Sequence, residues 1–219
     1  MPGAPRIKFC GITRPADAEH AASLDAWAVG MVFSPQSPRR VRVETAVEIG
    51  AALRRRTEVA GVFVNAQLDY VAEIADAVGL TLIQLHGDEG QSYASEAARR
   101  TGAKVIKVGR VRDRADVQAL RAFKTDFHLL DTYKPGVPGG TGETFSWDLV
   151  RVHPHDRPLI LSGGLTPENV VAAIEATHPY AVDVSSGVES APGIKDHAKM
   201  DAFAAAVRST ATPDQEEAA

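Results

Sequence analysis

The chain has 219 residues, of which 44% are hydrophobic, and a formal net charge of -4 at pH 7. This length favours one domain. The net charge is small, and acidic and basic residues are interspersed, so the sequence shows no basic region that would bind nucleic acid or a membrane surface. With one cysteine, no signal-peptide pattern in MPGAPRIKF and no apolar run near the ~20 residues of a membrane span, we expect a cytoplasmic domain that acts on a small molecule.

Short strand-like segments alternate with Ala-rich segments of helical period from one end of the chain to the other. The strand candidates are, in chain order, IKFC, WAVGMVF, VAGVFV, TLIQLH, AKVIKVG, FHLLD, PLILSG and YAVDVS. The helix candidates cover about 14–23, 43–56, 67–78, 89–101, 113–123, 146–152, 166–177 and 196–208. Several begin with Thr, Asp or Pro residues suited to a first turn. The sequence therefore predicts eight β/α units.

The strand candidates show little alternation of polar and apolar residues, which is typical of parallel strands covered on both faces. Eight units in this length match the lower size range of a closed barrel. We predict an α/β fold, a single (β/α)8 TIM barrel with a parallel eight-stranded inner barrel, over residues 1–209. An open doubly wound sheet is the alternative, but its phosphate motif would follow the first strand, where this chain reads CGIT.

Two segments depart from the repeat. The first is YKPGVPGGTGETFSW, residues 133–147, whose glycines and prolines suit neither a helix nor a strand, and we expect a mobile loop there. The second is 210–219, which has almost nothing to bury and is predicted to be a disordered acidic tail.

In barrels of this type the active site lies at the carboxyl ends of the strands and in the loops after them. The residues with chemically useful side chains at these positions are Cys10, Arg39, Arg40, Asn65, His86, Asp88, Lys107, Arg110, Asp131, Asp183, Ser185 and Ser186. The search for catalytic groups therefore reduces to this set.

Two Gly/Ser turns follow the seventh and eighth strand candidates, in SGGLTPENV and VDVSSGVE. Exposed N–H groups at the start of a helix bind anions, and these two loops are the usual phosphate site of such barrels. We therefore predict a phosphate site at Gly163, Gly164, Ser185, Ser186 and Gly187. A Gly-Gly turn on its own would only indicate a tight loop.

The cysteine admits two interpretations. Free cysteine is often a small buried hydrophobe, and an aspartate at a strand end often caps a turn. Cys10 and Asp131, however, end strands on opposite sides of the predicted barrel mouth, where one can act as a base and the other as an acid. The pair, together with a phosphate site, favours a proton-transfer enzyme.

Several segments resemble one family, phosphoribosylanthranilate isomerase, which performs an Amadori rearrangement in tryptophan biosynthesis. They are KFCGIT, GMVFSPQSPR, GVFVN, IQLHGDE, LLDT with GGTGETFSW, LSGGLTPENV and AVDVSSGVESAPGIKD, in order from about residue 6 to 200. The family's Phe-Asp-Trp word reads Phe-Ser-Trp here, and Ser146 is expected to cap the sixth helix in place of the Asp.

The resemblance implies that Cys10 is the general base and Asp131 the general acid. Such chemistry requires a raised pKa for the acid and a lowered pKa for the thiol. It also implies that Arg39 binds the anthranilate carboxylate, with Arg40 as the neighbouring alternative. Asp183, Gln84 and His86 are expected to contact the substrate.

The resemblance implies no cofactor and no metal, and it leaves open whether the protein is a monomer or a homodimer. A metal site at His153 and His155 is a rival, but the segment lacks a carboxylate set and suggests solvated loop histidines. A second alternative is the related isomerase of histidine biosynthesis. That family has an Asp where this chain has Cys10, which argues against this alternative. A non-catalytic phosphosugar-binding barrel or pathway scaffold is the other alternative.

Overall fold

The computed structural model describes residues 3–132 and 146–211, and within them eight parallel strands form a closed barrel. Each strand pairs with the next, and the last pairs with the first. The strands are β1 (Arg6–Cys10), β2 (Ala28–Val32), β3 (Glu58–Phe63), β4 (Leu82–Leu85), β5 (Lys104–Val111), β6 (Phe127–Thr132), β7 (Leu159–Leu161) and β8 (Ala181–Val184). The predicted TIM barrel is confirmed.

Alternate residues of each strand point into the barrel and towards the surrounding helices. The inward positions form a separate apolar cluster that consists of strand residues only, among them Leu82, Ile106, Leu129 and Ile160. The outward positions belong to a larger core that they share with the helices. Both faces are therefore buried, which explains the lack of polar and apolar alternation along the strands.

Seven α-helices lie in the described residues, and they follow the predicted order. They are α1 (Pro15–Ser23), α2 (Val43–Leu53), α3 (Leu68–Val78), α4 (Gln91–Thr101), α5 (Arg114–Ala119), α6 (Val170–Thr177) and α7 (His197–Arg208). Three helices are shorter than predicted by more than two residues: α2 ends three residues earlier, α5 is continued by a 3₁₀ turn, Leu120–Ala122, and α6 begins four residues later.

The sixth predicted helix is a 3₁₀ helix, Trp147–Val152, and not an α-helix. The expectation that Ser146 caps it is wrong, since its side chain makes no capping hydrogen bond. Of the two atypical segments, 133–145 and 212–219 lie outside the described residues, so the loop and tail predictions are not tested there.

A short hairpin after β8 was not predicted. A 3₁₀ turn, Ser186–Val188, leads into β9 (Glu189–Ala191), which pairs antiparallel with β10 (Ile194–Lys195). The hairpin contacts the segment after β1, where the Thr13 hydroxyl donates to the Gly193 carbonyl and the Lys195 N–H donates to Asp17. It therefore ties the last strand to the first at the carboxyl end of the barrel. None of the helices in the two described ranges has the length and hydropathy of a membrane span.

Candidate active site

A cavity opens at the carboxyl end of the barrel, as the sequence predicts. The predicted site residues that line it are Cys10, Arg39, Gln84, His86, Asp131, Gly163, Gly164, Asp183, Ser185 and Ser186. Gly187 does not line it, because it packs against the carbonyl of Leu165, which lies 1.9 Å from where a Cβ of residue 187 would be. Predicted residues from the ends of six strands, or from the loops after them, thus share one cavity.

Cys10 and Asp131 lie at the ends of β1 and β6. Cys10 packs against Val32 and Val62, and its side chain is buried. One oxygen of Asp131 accepts a hydrogen bond of 2.8 Å from the N–H of Thr132, and the other lies 3.4 Å from Nε2 of His86. Both proton-transfer candidates therefore face the same cavity, each with limited access to water.

The environment of Cys10 differs from the expected one. Burial raises the pKa of the thiol above its ordinary value, and the negative charge of Asp183 adds to this effect. The positive charges of Lys8 and Lys195 act in the opposite direction but do not cancel it. The thiol pKa is therefore raised in the ligand-free protein, whereas the sequence argument required a lowered one. The physical reason is desolvation, since the sulfur lies in an apolar corner of the cavity.

Gln84 and His86 act together at the end of β4. The amide nitrogen of Gln84 lies 3.2 Å from Nδ1 of His86, and when the amide donates to Nδ1 the ring proton is on Nε2. In the described part of the chain, Oε1 of Gln84 and Nε2 of His86 are buried without a hydrogen-bond partner. Such atoms are suited to bind polar groups of a ligand.

Arg39 is half-buried beside the cavity, while Arg40 is exposed and does not line it. Nε and Nη2 of Arg39 donate to Glu189 at 2.8 and 2.7 Å. Glu189 also accepts from Lys195 at 3.0 Å. Burial alone would raise the pKa of Glu189, but the hydrogen bond from Arg39 and the charge of Lys195 lower it overall. Glu189 therefore binds one edge of the Arg39 guanidinium and holds the side chain in place. The other edge of the guanidinium can bind a carboxylate.

Asp183 is buried at the end of β8. Its carboxylate accepts from the ammonium of Lys8 at 2.7 Å and from the hydroxyl of Ser162 at 3.2 Å. A buried carboxylate with two such partners is held in one orientation, because either partner would be left unsatisfied if it turned. It can present only the remaining part of its surface to a ligand.

The two turns predicted to bind phosphate border the cavity on one side. Gly163 and Gly164 have φ angles of 92° and 65°, which glycine adopts without strain. The predicted helix at 166–177 begins only at Val170, because Asn169 accepts from the N–H of Thr166 and donates to the carbonyl of Gly164. On the other turn, the 3₁₀ segment begins at Ser186, and its first N–H groups have no intrahelical acceptor.

Comparison with known proteins identifies the family. The sequence model of a family described as N-(5'-phosphoribosyl)anthranilate isomerase matches residues 7–206. The chain belongs to this family. A phosphoribosylanthranilate isomerase of Geotalea uraniireducens is 46% identical over 198 residues, which cover 90% of this chain and 96% of that one. The isomerase of Pseudomonas fluorescens is 49% identical over 203 residues, covering 93% and 95%.

Solved structures of phosphoribosylanthranilate isomerases are also similar. The Thermus thermophilus enzyme is 36% identical with a TM-score of 0.85, covering 93% of this chain and 98% of that one. The Thermotoga maritima enzyme is 40% identical with a TM-score of 0.84, covering 94% and 99%. Another isomerase structure, 37% identical with a TM-score of 0.81 and covering 94% and 99%, holds reduced 1-(o-carboxyphenylamino)-1-deoxyribulose 5-phosphate. The predicted family and enzyme class are confirmed.

Sequence reasoning missed three charged residues of this isomerase site: Lys8, Glu189 and Lys195. All three are buried: Lys8 pairs with the distant Asp183, and Glu189 pairs with the distant Arg39 and with the nearby Lys195. One signal was present, because a lysine inside the apolar run IKFC is an unusual core residue and lies two positions before Cys10. Glu189 and Lys195 lie in the polar segment VESAPGIKD, where two charged residues are ordinary and give no sign of burial.

The histidines of the rival metal site are arranged otherwise than expected. His153 is 2% exposed and not solvated, and its Nε2 lies 3.0 Å from Nδ1 of His128, while His155 is exposed. Burial lowers the pKa of His153 to about 4, and the neighbouring His128 lowers it further. In ranges 3–132 and 146–211, no three His, Cys, Asp or Glu side chains are arranged to hold a metal ion.

Proposed function

We propose that this isomerase converts N-(5'-phosphoribosyl)anthranilate to 1-(2-carboxyphenylamino)-1-deoxyribulose 5-phosphate, with Asp131 as general acid and Cys10 as general base. The observation that carries the assignment is that Cys10 and Asp131 lie towards the carboxyl ends of two non-adjacent strands of one barrel, β1 and β6, and line the same cavity. The related structure with the reduced product supports a ligand of this size and chemistry in the family.

The reaction needs one proton delivered and one removed. Asp131 donates its proton to the ribose ring oxygen, the bond between that oxygen and C1 breaks, and C1 becomes an iminium carbon. Cys10 as thiolate then takes the proton from C2, and the electron pair forms the C1–C2 double bond of an enolamine. Loss of the C2 hydroxyl proton and protonation of C1 give the ketone. No electrons are exchanged with the protein.

The raised pKa of Cys10 fits this order of events. In the free protein the thiol keeps its proton because burial disfavours the thiolate. After the ring opens, the positive iminium nitrogen favours loss of the thiol proton, and the Asp131 carboxylate, which has just given its own proton to the ring oxygen and lines the same cavity, can accept it. Cys10 is then the thiolate that takes the proton from C2. Cys10 therefore becomes a base only after the substrate has acquired its positive charge.

Three contacts would bind the substrate. The free edge of Arg39 would bind the anthranilate carboxylate, because a planar guanidinium matches a carboxylate in two hydrogen bonds. The unpartnered atoms of Gln84 and His86 would bind ribose hydroxyls or the amine. The N–H groups around Gly164 and Ser186 would bind the phosphate.

The deciding experiment measures turnover and ligand binding together for the wild type, Cys10→Ala and Asp131→Asn. We expect each variant to lose about 10²- to 10⁴-fold in kcat while it still binds the reduced product. Asp113→Asn is the matched control, because Asp113 caps α5 away from the cavity and Asn also caps helices. If the wild type binds but does not convert the substrate, the protein is a phosphosugar-binding barrel and the proposal fails.

A further inference from the structure

Lys8 is a fully buried lysine on β1 to which the reaction above gives no role. Its side chain is 0% exposed, and such a residue is rare in a protein core unless it is paired. Lys8 lies two residues before Cys10, so both side chains point into the barrel. It is also the register partner of Asp183 on β8, to which its ammonium donates at 2.7 Å.

The ammonium of Lys8 and the thiol of Cys10 face the same gap beside β2. Gly30 is the register partner of Cys10, and a Cβ placed on Gly30 would lie 2.8 Å from Sγ of Cys10 and 3.0 Å from Nζ of Lys8. The two atoms are therefore within about 6 Å of each other, a range in which opposite charges stabilise one another. Because residue 30 has no side chain, both groups fit into this gap.

The charge state of Lys8 suits this role. Burial alone would lower the pKa of Lys8, but the charges of Asp183 and Cys10 raise it overall, so the side chain stays an ammonium ion. Of the two cations that favour the thiolate, Lys8 has the larger effect. The other charged groups that act on the sulfur are Asp183 from β8, which opposes the thiolate, and Lys195 from β10, which favours it.

We propose that Lys8 is a positioning residue that stabilises the thiolate of Cys10, and that Asp183 controls how much of the ammonium's charge the thiolate receives. The inference rests on the proposed function, in which Cys10 is the base. Lys8 keeps its three protons throughout, while the sulfur alone changes from thiolate to thiol when it takes the C2 proton.

A purely structural role for Lys8 makes a different prediction. In that case the pair with Asp183 only joins β1 to β8, and removing the charge of Lys8 would leave the alkylation profile of Cys10 unchanged, whereas removing Asp183 would still lower its midpoint, because a repelling charge is lost. If the ammonium is shared, the two removals act in opposite directions. Lys8→Met deprives the thiolate of its counter-charge, whereas Asp183→Asn frees the ammonium to act on the sulfur and removes a repelling charge.

The test measures the pH dependence of alkylation of Cys10 by iodoacetamide in the folded protein. Cys10 is the only cysteine of the chain, so the signal has one source. We expect the midpoint of the profile to rise by about one pH unit or more in Lys8→Met and to fall in Asp183→Asn. Lys8→Arg, which keeps the charge, should restore most of the wild-type midpoint.

Lys104→Met is the matched control, because Lys104 is exposed at the opposite end of the barrel, next to Glu58. An unchanged midpoint in Lys8→Met, or a rise in Asp183→Asn, would overturn the inference. If Lys8→Met does not fold, Lys8→Gln, which keeps a hydrogen-bond donor for Asp183 but carries no charge, takes its place with the same expected rise of the midpoint. The assay contains no substrate, so it reads the thiolate even if the wild type fails to catalyse the proposed isomerisation.

Discussion

The two ends of the barrel interior are built from opposite kinds of side chains. Towards the amino ends of the strands the interior is filled by apolar residues, most of them aliphatic, such as Leu82, Leu129 and Ile160, which belong to one cluster. Towards the carboxyl ends, buried charges replace them, with Lys8 against Asp183 and Lys195 against Glu189.

This difference separates stability from function within one closed sheet. Aliphatic packing stabilises the fold through the area it removes from water. Buried ion pairs contribute little net stability, because the loss of hydration offsets most of their attraction. The charged end gains orientation instead, since the pairs Lys8–Asp183 and Arg39–Glu189 hold these side chains in place beside the cavity. Mutations at the two ends should therefore have separable effects.

Among mutations at the two ends, we expect the largest effect from the loss of an aliphatic side chain, which should destabilise the fold. Leu129→Ala should lower the free energy of unfolding by about 2 to 5 kcal/mol, because it leaves a cavity inside the barrel. Urea unfolding measures the loss, and kcat of the remaining folded protein should stay near the wild-type value. The control is Val47→Ala, at an exposed position of α2. A variant with normal stability and low kcat would contradict the separation of the two ends.

A buried polar pair between β6 and the 3₁₀ helix that follows it, His128 and His153, extends the comparison to pH. His153 has a pKa of about 4 in the folded protein, against about 6.5 when unfolded, so above pH 6.5 both states are neutral and stability is complete. As the pH falls from 6.5 towards 4, only the unfolded state takes up the proton, and stability is lost. The loss should amount to about 2 to 3 kcal/mol.

Urea unfolding at pH 7 and pH 4.5 would measure this loss in the wild type and in His153→Gln. The variant should lose less stability on acidification, because its amide does not titrate and can still bond to His128. His178→Asn is the control, since His178 is exposed and Asn also accepts its φ of 45°. Equal acid sensitivity of His153→Gln and the wild type would show that other groups cause the loss.

The smallest effect should be one of recognition, at the two neighbouring arginines. Arg39→Lys should raise KM about tenfold, because an ammonium replaces two parallel hydrogen bonds to a carboxylate by a point charge. Arg40→Lys should leave KM within about twofold, since Arg40 is exposed and outside the cavity. Steady-state kinetics of both variants provide the measurement. An equal increase of KM in both variants would contradict this prediction, because it would show that the guanidinium of Arg39 has no special role in binding the carboxylate.

The barrel and most of its site were predictable because they depend on local patterns. Helices with a clear apolar stripe were predicted to within two residues, as at α3 and α4. The segment 146–152 was predicted as an α-helix, and its residues 147–152 form a 3₁₀ helix, because seven residues offer too little periodicity to separate the two. The hairpin of β9 and β10 was missed, since strands of three and two residues carry no alternation.

The charged half of the site was less accessible to sequence reasoning. The strand-end rule places Cys10, Asp131 and Asp183 at the cavity from their positions alone. The rule does not predict which charged side chains form ion pairs, because that depends on the register and tilt of the strands around the closed barrel. The raised pKa of Cys10 has the same origin, since desolvation depends on the three-dimensional surroundings and not on neighbours in sequence.

The hairpin after β8 has a consequence for assembly. It brings Lys195 to Asp17 and Glu189 to Arg39, and Lys8 meets Asp183 across 175 positions of the chain. These contacts have very long sequence separation, so they form only when the first and last strands join. A chain whose last strand is still unpaired lacks both the held arginine and the ion pair beside the thiol. Catalytic competence should therefore arise with ring closure, and recovery of activity during refolding would time that step.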